Sequence, residues 1–142
     1  MTSQDDKIKR VRSARVKIYK MTDFIRLTET GEIDIDRSKE IIRQLAVAAS
    51  FHEDHNILVD LRDTNLKEES IRNVLEVALE IARYKSVFKG KLANLLPDEE
   101  KRLLAAKQLK VLLDLEGFQY EIFTSFEDAV EWLSDITALP QP

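Results

Sequence analysis

The alternation of short apolar runs with amphipathic segments is the feature that most constrains the fold of this chain. Three short runs, 57–61, 92–96 and 119–123, are each followed by a longer segment with apolar residues at helical spacing. Strands that alternate with helices predict parallel pairs joined by right-handed crossovers. The sequence therefore predicts an α/β domain.

The start of the chain departs from this alternation. Period-two patterning predicts strands over residues 15–20 and 24–30, and only Met21, Thr22 and Asp23 separate them. So short a connection favours an antiparallel hairpin at the edge of the sheet. The predicted fold class is a single α/β domain with a mixed, mostly parallel five-stranded sheet, an N-terminal antiparallel hairpin and four helices packed largely on one face.

Capping residues set the expected starts of the first two helices. Asp34 or Asp36 is expected to cap a helix that runs to about Phe51. Asn65 and Glu68 have the spacing of a capping box, in which two side chains satisfy free backbone groups at a helix start. The second helix is therefore expected to begin soon after Asn65.

Glycine and serine mark the last helices. Gly117 is expected to end the third helix, because glycine favours the left-handed backbone found there. Ser125 is expected to cap a final helix that includes Ile136. The apolar faces of all these elements predict a core that contains Val59, Leu61, Ile71, Leu75, Leu112, Ile122 and Leu133.

The charge is uneven along the chain. The net charge is −4, yet the first twenty residues hold seven basic and two acidic residues. Residues 1–14 are interpreted as a basic, partly disordered N-terminal arm, residues 15–136 as the domain and residues 137–142 as a tail. A basic arm can contact nucleic acid, but Lys and Arg also protect an edge strand from aggregation. Because the acidic remainder repels a phosphate backbone, we expect no nucleic-acid partner.

The composition excludes several function classes. The chain has no cysteine, which excludes disulfides, thiolate catalysis and Cys-based metal sites. Its three glycines stand far apart, so it has no Gly-x-Gly-x-x-Gly motif, no P-loop and no Gly-x-Ser-x-Gly elbow. No apolar run approaches the roughly 20 residues of a membrane span or forms a signal peptide. We therefore expect a cytoplasmic protein without a cofactor.

Two polar clusters raise the question of metal or acid–base chemistry. His52 and His55 are separated by two acidic residues, but metalloprotease histidines lie one helical turn apart. A connection between helix and strand is not expected to aim both rings at one ion, so no metal site is predicted. Asp60 and Asp63 give an alternative function, a metal-assisted hydrolase or transferase. Simple pairing of Asp60 with Arg62 stands against it.

Two stretches resemble STAS domains, which sulfate transporters and anti-sigma-factor antagonists share (the SpoIIAA-like fold). Asn56–Thr64 and the helix that follows are similar to the family's central strand, loop and helix. Gly117–Phe123 and Phe126–Leu133 are similar to its last strand and helix. The resemblance covers about residues 15–136 and is strongest to stand-alone bacterial members. It implies a non-enzymatic regulatory module that binds a protein partner.

The phosphorylation motif of the antagonists does not carry over intact. Their Asp-Ser-Ser-Gly at the start of the second helix falls here on Glu68, Glu69, Ser70 and Ile71. The resemblance therefore implies that the usual switch is absent, because Glu69 occupies the acceptor position, with Ser70 as an alternative phosphoacceptor. Relatives of this fold are grouped with lipid-binding domains, which implies a further alternative, a carrier of a small or apolar ligand.

The predicted interaction surface follows the central strand and precedes a helix. Ligands bind beyond the carboxyl ends of parallel strands, helix N-termini attract anions, and exposed polar loops often carry function. Glu68 and Glu69 favour a basic protein surface over a phosphate. The partner is an unidentified protein, and a homodimer is compatible with the sequence. The predicted surface comprises Arg62, Asp63, Thr64, Asn65, Glu68, Glu69 and Ser70.

Overall fold

Four parallel strands form the central sheet. The computed structural model describes residues 18–20, 23–67 and 70–137. Its elements are β1 (Ile18–Lys20), β2 (Phe24–Ile33), α1 (Ile35–Phe51), β3 (Asn56–Leu66), α2 (Ile71–Ala82), β4 (Lys91–Leu95), α3 (Glu100–Leu115), β5 (Gln119–Phe123), α4 (Phe126–Leu133) and β6 (Asp135–Thr137). The sheet order is β2-β3-β4-β5, and each strand pairs in parallel with the next. The predicted parallel α/β architecture is confirmed.

Some predicted features lie outside the described residues. These are the N-terminal arm 1–14, the tail beyond Thr137, and the pair Glu68 and Glu69. Among the described helices, none is long and apolar enough to cross a membrane.

Three helices cover one face of the sheet, and the fourth covers the other. Because the strand order follows the chain order, right-handed crossovers place every connecting helix on the same side. α1 packs against α2, and α2 packs against α3. α4 follows the last strand of the sheet and packs against β4 and β5 under a separate core. The described residues therefore form four helices, but only three of them share the expected face.

The sheet carries a core on each side. The larger core lies under α1, α2 and α3 and includes Leu45, Ile57 and Leu113. The smaller core lies under α4 and includes Leu58 and Leu133. Successive side chains of a strand point to opposite faces, so β3 contributes Ile57 to one core and Leu58 to the other. Burial on both faces is what the nearly continuous apolar run of this strand predicts.

The predicted N-terminal hairpin is wrong. β1 pairs with β6 in an antiparallel ladder, with Ile18 opposite Thr137 and Lys20 opposite Asp135. These two strands form a separate sheet, so the main sheet has four strands, all parallel, and not five. Period-two patterning shows that a segment is extended, but it does not specify the partner strand. The partner of β1 is the C-terminal strand β6, which a prediction based on short connections does not consider.

The last helix is shorter than predicted. α4 ends at Leu133, and Ser134 adopts an extended backbone with φ −101° and ψ 153°. Ile136 therefore lies in β6 and not on a helix face. β-branched Ile136 and Thr137 favour this extended conformation.

Most of the predicted helix caps are confirmed. The Asp34 side chain accepts a hydrogen bond from the Arg37 backbone N–H at the start of α1. Ser125 accepts one from the backbone N–H of Asp128 at the start of α4. Gly117 follows α3 with φ +87°, a conformation that favours glycine. The backbone N–H of Phe118 donates to the Leu113 carbonyl there, which closes the helix end.

The capping box predicted for the second helix is wrong. Asn65 lies inside β3, opposite Glu32 of β2. Ser70 caps α2 instead, and its side chain accepts from the backbone N–H of Asn73. The prediction failed because β2 extends to Ile33, which gives β3 a pairing partner well beyond its apolar run.

Two of the predicted core residues are exposed. Ile71 is 67 % exposed and Leu75 is 47 % exposed, whereas Leu133 is buried as predicted. The other predicted residues, Val59, Leu61, Leu112 and Ile122, are half-buried. α2 turns the side with Val74, Val77, Ala78 and Ile81 toward the core. Its sequence carries apolar residues around most of its circumference, so the pattern alone does not identify the buried side.

Candidate functional site

A β-bulge shapes the carboxyl half of β3. Thr28 lies opposite Asp60, but Thr30 lies opposite Asp63, so β3 has one more residue than β2 between these pairs. A bulge re-aims the side chains that follow it. Beyond the bulge, Thr64 is buried, whereas Asp63 is exposed. The segment predicted as a loop is therefore the bulged end of a strand.

The predicted surface residues do not all share one surface. Arg62, Asp63 and Asn65 are exposed, as is Ser70 at the start of α2. Thr64 is buried, and its backbone carbonyl and hydroxyl accept hydrogen bonds from the guanidinium of Arg102 at 2.9 and 3.0 Å. Thr64 is thus part of the interior and cannot contact a partner, which corrects the prediction for this residue.

Asp60 is held by two arginines. Arg62 Nε and Nη2 donate to Asp60 Oδ1 and Oδ2 at 3.0 and 2.8 Å, and Arg26 Nη2 donates to Oδ2 at 3.3 Å. Both guanidinium groups lie over the ring of Phe126, at 4.8 Å for Arg26 and 5.9 Å for Arg62. The pairing of Asp60 with Arg62 that was considered from the sequence is confirmed.

These contacts determine the chemistry of Asp60. The hydrogen bonds from Arg62 lower the pKa of this carboxyl below its usual value of 3.8, against the opposing effect of burial. A carboxylate whose two oxygens both bind guanidinium groups is a poor general base. The two positive charges also repel a metal ion. The geometry at Asp60 therefore gives no support to the hydrolase or transferase alternative.

The two histidines lie closer together than expected. The rings of His52 and His55 are 4.9 Å apart between centroids and inclined at 57°. The connection between α1 and β3 therefore does bring the rings together, which corrects the geometric expectation. Within the described residues, no group of three or more His, Asp and Glu side chains is arranged to hold a metal ion. The prediction that the pair holds no metal stays a prediction.

Two adjoining cavities lie between the sheet and the layer of α1, α2 and α3. The outer cavity has a volume of about 140 Å³ and is lined by residues from the first turns of all three helices, including Asp34, Ser70 and Arg102. The inner cavity, also about 140 Å³, is lined mainly by core side chains such as Ile57 and Phe88. An engineered apolar cavity of about 150 Å³ in another protein binds benzene.

The outer cavity lies at the carboxyl edge of the sheet, where ligands of parallel sheets usually bind. In many parallel sheets, the ligand binds in a crevice at the point where the strand order reverses. The order β2-β3-β4-β5 contains no such reversal. The space lies instead between the strand ends and the helix starts. Of the predicted surface residues that the structure describes, Ser70 alone lines it.

Asn94 is one of three polar residues, with Ser38 and Arg102, that line both cavities. Its Nδ2 donates to the Tyr120 hydroxyl at 2.6 Å, whereas its buried Oδ1 has no hydrogen-bond partner among the described residues. If the amide were turned by 180°, Tyr120 would donate to Oδ1 and the amide nitrogen would be left without a partner. Burial raises the pKa of Tyr120, so its hydroxyl stays protonated. Either orientation leaves one buried hydrogen-bonding position of Asn94 without a partner among the described residues.

The sequence analysis did not single out Asn94. The signal was present, since Asn94 is the polar residue within the apolar run of β4. A buried polar side chain without a partner costs about 1–3 kcal/mol, so such a residue points to a role beyond packing. Asn94 becomes a candidate binding residue only because the structure places it beside the cavities.

The arrangement defines a class of protein: an α/β domain with a mostly apolar cavity between its sheet and its helix layer. No family model matches the chain, and no curated protein matches it. A similar solved structure is that of an uncharacterized protein from the DUF3478 family, with a SpoIIAA-like fold, from Shewanella loihica PV-4. The two are 14 % identical over 83 % of this chain and 92 % of that chain, with a TM-score of 0.49.

Proposed function

We propose that this chain is a non-enzymatic binding module that holds a small, mostly apolar molecule between its sheet and its three-helix layer. The observation that carries the proposal is the buried Oδ1 of Asn94, which is unpartnered within the part of the chain that the structure describes, in a residue that lines a mostly apolar cavity. A ligand with an apolar body and one hydroxyl or N–H group would satisfy Asn94 Oδ1 and fill the space.

We propose no catalytic activity because of the charges and hydrogen bonds of Asp60 and of the polar residues in the cavity. Asp60 is neutralised by Arg26 and Arg62 and lies on the opposite face of the sheet from the cavity. Inside the cavity, Asn94 is neutral, Tyr120 is kept protonated by burial, and the Arg102 guanidinium donates to the Thr64 carbonyl and hydroxyl. Such groups orient a ligand, but they neither accept a proton nor attack a bond at neutral pH.

Phenol and toluene are suitable probes, because they have nearly the same shape and differ in one hydrogen-bond donor. Binding to the purified protein would be measured by calorimetry. We expect phenol to bind about fivefold more tightly than toluene, since one hydrogen bond to a buried acceptor contributes about 1 kcal/mol. In Asn94→Leu, the order is expected to reverse. Equal affinities for the two probes in the wild type would contradict the proposal.

Gln44→Leu provides the matched control. Gln44 is an exposed amide on α1, so this variant makes the same chemical change away from the cavity. It should leave both affinities unchanged. Native mass spectra of the untreated protein would show in addition whether a molecule remains bound after purification.

A second candidate is the regulatory protein-interaction module implied by the sequence resemblance. The specific observation in its favour is that Arg62, Asp63 and Asn65 are exposed at the carboxyl end of β3, and that Ser70 is exposed at the start of α2. Charged and polar groups on a rigid strand can form a specific contact. Ser70 stays a proposed alternative phosphoacceptor, because its hydroxyl is exposed at the start of α2.

A charge reversal tests this second candidate. The variant Glu68→Lys, Glu69→Lys is expected to stay folded and to lose the protein partner that the wild type captures in a pull-down. Asp63→Lys should have the same effect, whereas Lys107→Glu on α3 provides a control at an exposed position away from the predicted surface. Retention of every wild-type partner by both variants would place the interaction elsewhere.

A further inference from the structure

The strand β5 lies at one edge of the sheet. Within the described residues it pairs with β4 alone, so one side of its backbone has no neighbouring strand. The Phe123 carbonyl points toward β4, because it accepts from the backbone N–H of Leu96. Successive residues of a strand direct their backbone groups to opposite sides, so Tyr120 and Ile122 direct theirs to the open edge. Such an edge is a template on which another chain can pair.

The composition of β5 makes its edge prone to aggregation. The segment 118–123 consists mostly of aromatic and β-branched residues and contains neither proline nor glycine. Segments of this length and composition form stacked strands readily when their charge is low. Glu121 is the one charged residue in the segment. The position of this charge therefore decides how well the edge is protected.

Two charged side chains occupy the open edge of β5. Lys110 reaches over from α3, and its Nζ donates to the Tyr120 carbonyl at 2.9 Å. The backbone N–H of Ile122 donates to Glu121 Oε1 at 3.1 Å. Lys110 Nζ also lies 3.7 Å from Glu121 Oε2, so the two side chains form an ion pair along the edge. We call Lys110 and Glu121 the β5 edge cap.

Asp114 helps to hold the lysine of the β5 edge cap in position. It lies one turn further along α3, and its Oδ1 accepts from Lys110 Nζ at 3.3 Å. Lys110 thus contacts two carboxylates and a backbone carbonyl, and its side chain is only 32 % exposed. Its position is therefore fixed by several contacts, unlike that of a lysine that extends freely into solvent.

We propose that the β5 edge cap prevents this strand from pairing with the same strand of a second copy of the chain. A second copy would first have to displace Lys110 from the Tyr120 carbonyl and Glu121 from the Ile122 N–H. The new backbone hydrogen bonds would only replace these two. Burial of the displaced charges beside the new strand would add a large desolvation cost. The proposal does not depend on ligand binding in the cavity.

Removal of the cap tests the proposal. The variant Lys110→Met, Glu121→Leu loses both edge contacts but keeps the net charge of the wild type. In sedimentation velocity, we expect this variant to form oligomers larger than the wild-type species as its concentration is raised. Lys101→Met, Glu127→Leu is the matched control, because it makes the same changes at exposed positions of α3 and α4. The control should sediment like the wild type, and equal behaviour of the two double variants would overturn the proposal.

Hydrogen exchange of the Ile122 amide shows whether the oligomers use this edge. In the dilute double variant, this amide is expected to exchange about tenfold faster than in the wild type, because it has lost a hydrogen bond to a charged group. In the oligomers its exchange should slow again, because a paired strand accepts from it. Oligomers in which the Ile122 amide still exchanges fast would overturn the proposal.

A single substitution keeps the test decisive if circular dichroism shows that the double variant does not fold. Lys110→Met leaves the sequence of β5 unchanged and removes the donor to the Tyr120 carbonyl. It is expected to form oligomers, whereas Lys110→Arg keeps a donor at this position and should sediment like the wild type. The same state for these two variants would contradict the proposed role of the cap.

Discussion

At the scale of single residues, Asp60 shows how contacts set the chemistry of a carboxyl group. Arg62 and Arg26 bind its two oxygens and lower its pKa below 3.8. A group whose pKa is lower in the folded state stabilises that state at pH values above its unfolded pKa. The stabilisation is lost as the pH falls through the lower, folded-state pKa.

We therefore predict that Asp60→Asn lowers the free energy of unfolding by about 1–3 kcal/mol at pH 7, the range for hydrogen bonds to charged groups. The difference between wild type and variant should shrink as the pH is lowered below 3.8. Urea unfolding at a series of pH values would measure this dependence.

The control for this prediction is Asp63→Asn, three residues along the same strand. Asp63 is exposed, so its substitution should change the stability little at any pH. If the two variants behaved alike, the arginine contacts of Asp60 would not be responsible for its effect.

At the scale of elements, α3 offers two leucines in opposite environments. Leu113 is fully buried in the larger core, whereas Leu115 is 80 % exposed at the end of the helix. We predict that Leu113→Ala lowers the free energy of unfolding by about 2–5 kcal/mol. Leu115→Ala, which removes the same atoms from the same helix, should change it by about 0.5 kcal/mol or less. Chemical denaturation of both variants measures the difference, and similar values would mean that α3 has another rotation about its axis.

The elements themselves could largely be predicted from the sequence, because their signals are local. Asp34 and Ser125 cap helices as predicted, and the strand Gln119–Phe123 has the predicted bounds. The pairing of β1 could not be predicted, since its partner lies more than a hundred residues along the chain. Nor could the buried side of α2, because its outer side, with Ile71, Leu75 and Leu79, is as apolar as its inner side.

Less of the candidate site than of the fold could be predicted from the sequence. Ser70 could be singled out as a residue at a helix start, and the structure places it at the outer cavity. Asn94 gains its role only from the space around it and from the distance between its amide and the Tyr120 hydroxyl. A cavity is a property of packing between helices and sheet, so no local pattern in the sequence predicts it.

At the scale of the whole molecule, one sheet joins the two cores. Ile57 and Leu58 are neighbours in β3 but belong to different cores, so neither core can be lost without disturbing the other. We predict a single cooperative unfolding transition. The fluorescence of Trp132, the one tryptophan, reports on the α4 side, where its ring contacts Phe123. Far-ultraviolet circular dichroism reports mainly on the larger helices.

The unfolding curves measured by Trp132 fluorescence and by circular dichroism should have the same midpoint, both in thermal and in urea unfolding. The variant Leu133→Ala, which truncates a buried residue of α4, should lower both midpoints together. An earlier transition for Trp132 alone would show that α4 detaches as a separate unit, which contradicts this prediction.

The measurement that tests the central proposal most directly is a two-dimensional ¹H–¹⁵N NMR titration with phenol. The side-chain amide of Asn94 gives its own pair of signals, so its environment can be followed without a substitution. We predict that phenol shifts these signals together with the backbone amides of cavity-lining residues such as Leu61 and Val77, and leaves Gln44 unchanged. An Asn94 signal that does not move at saturating phenol, or shifts confined to the exposed helix surface, would contradict the proposal that the cavity is a binding site.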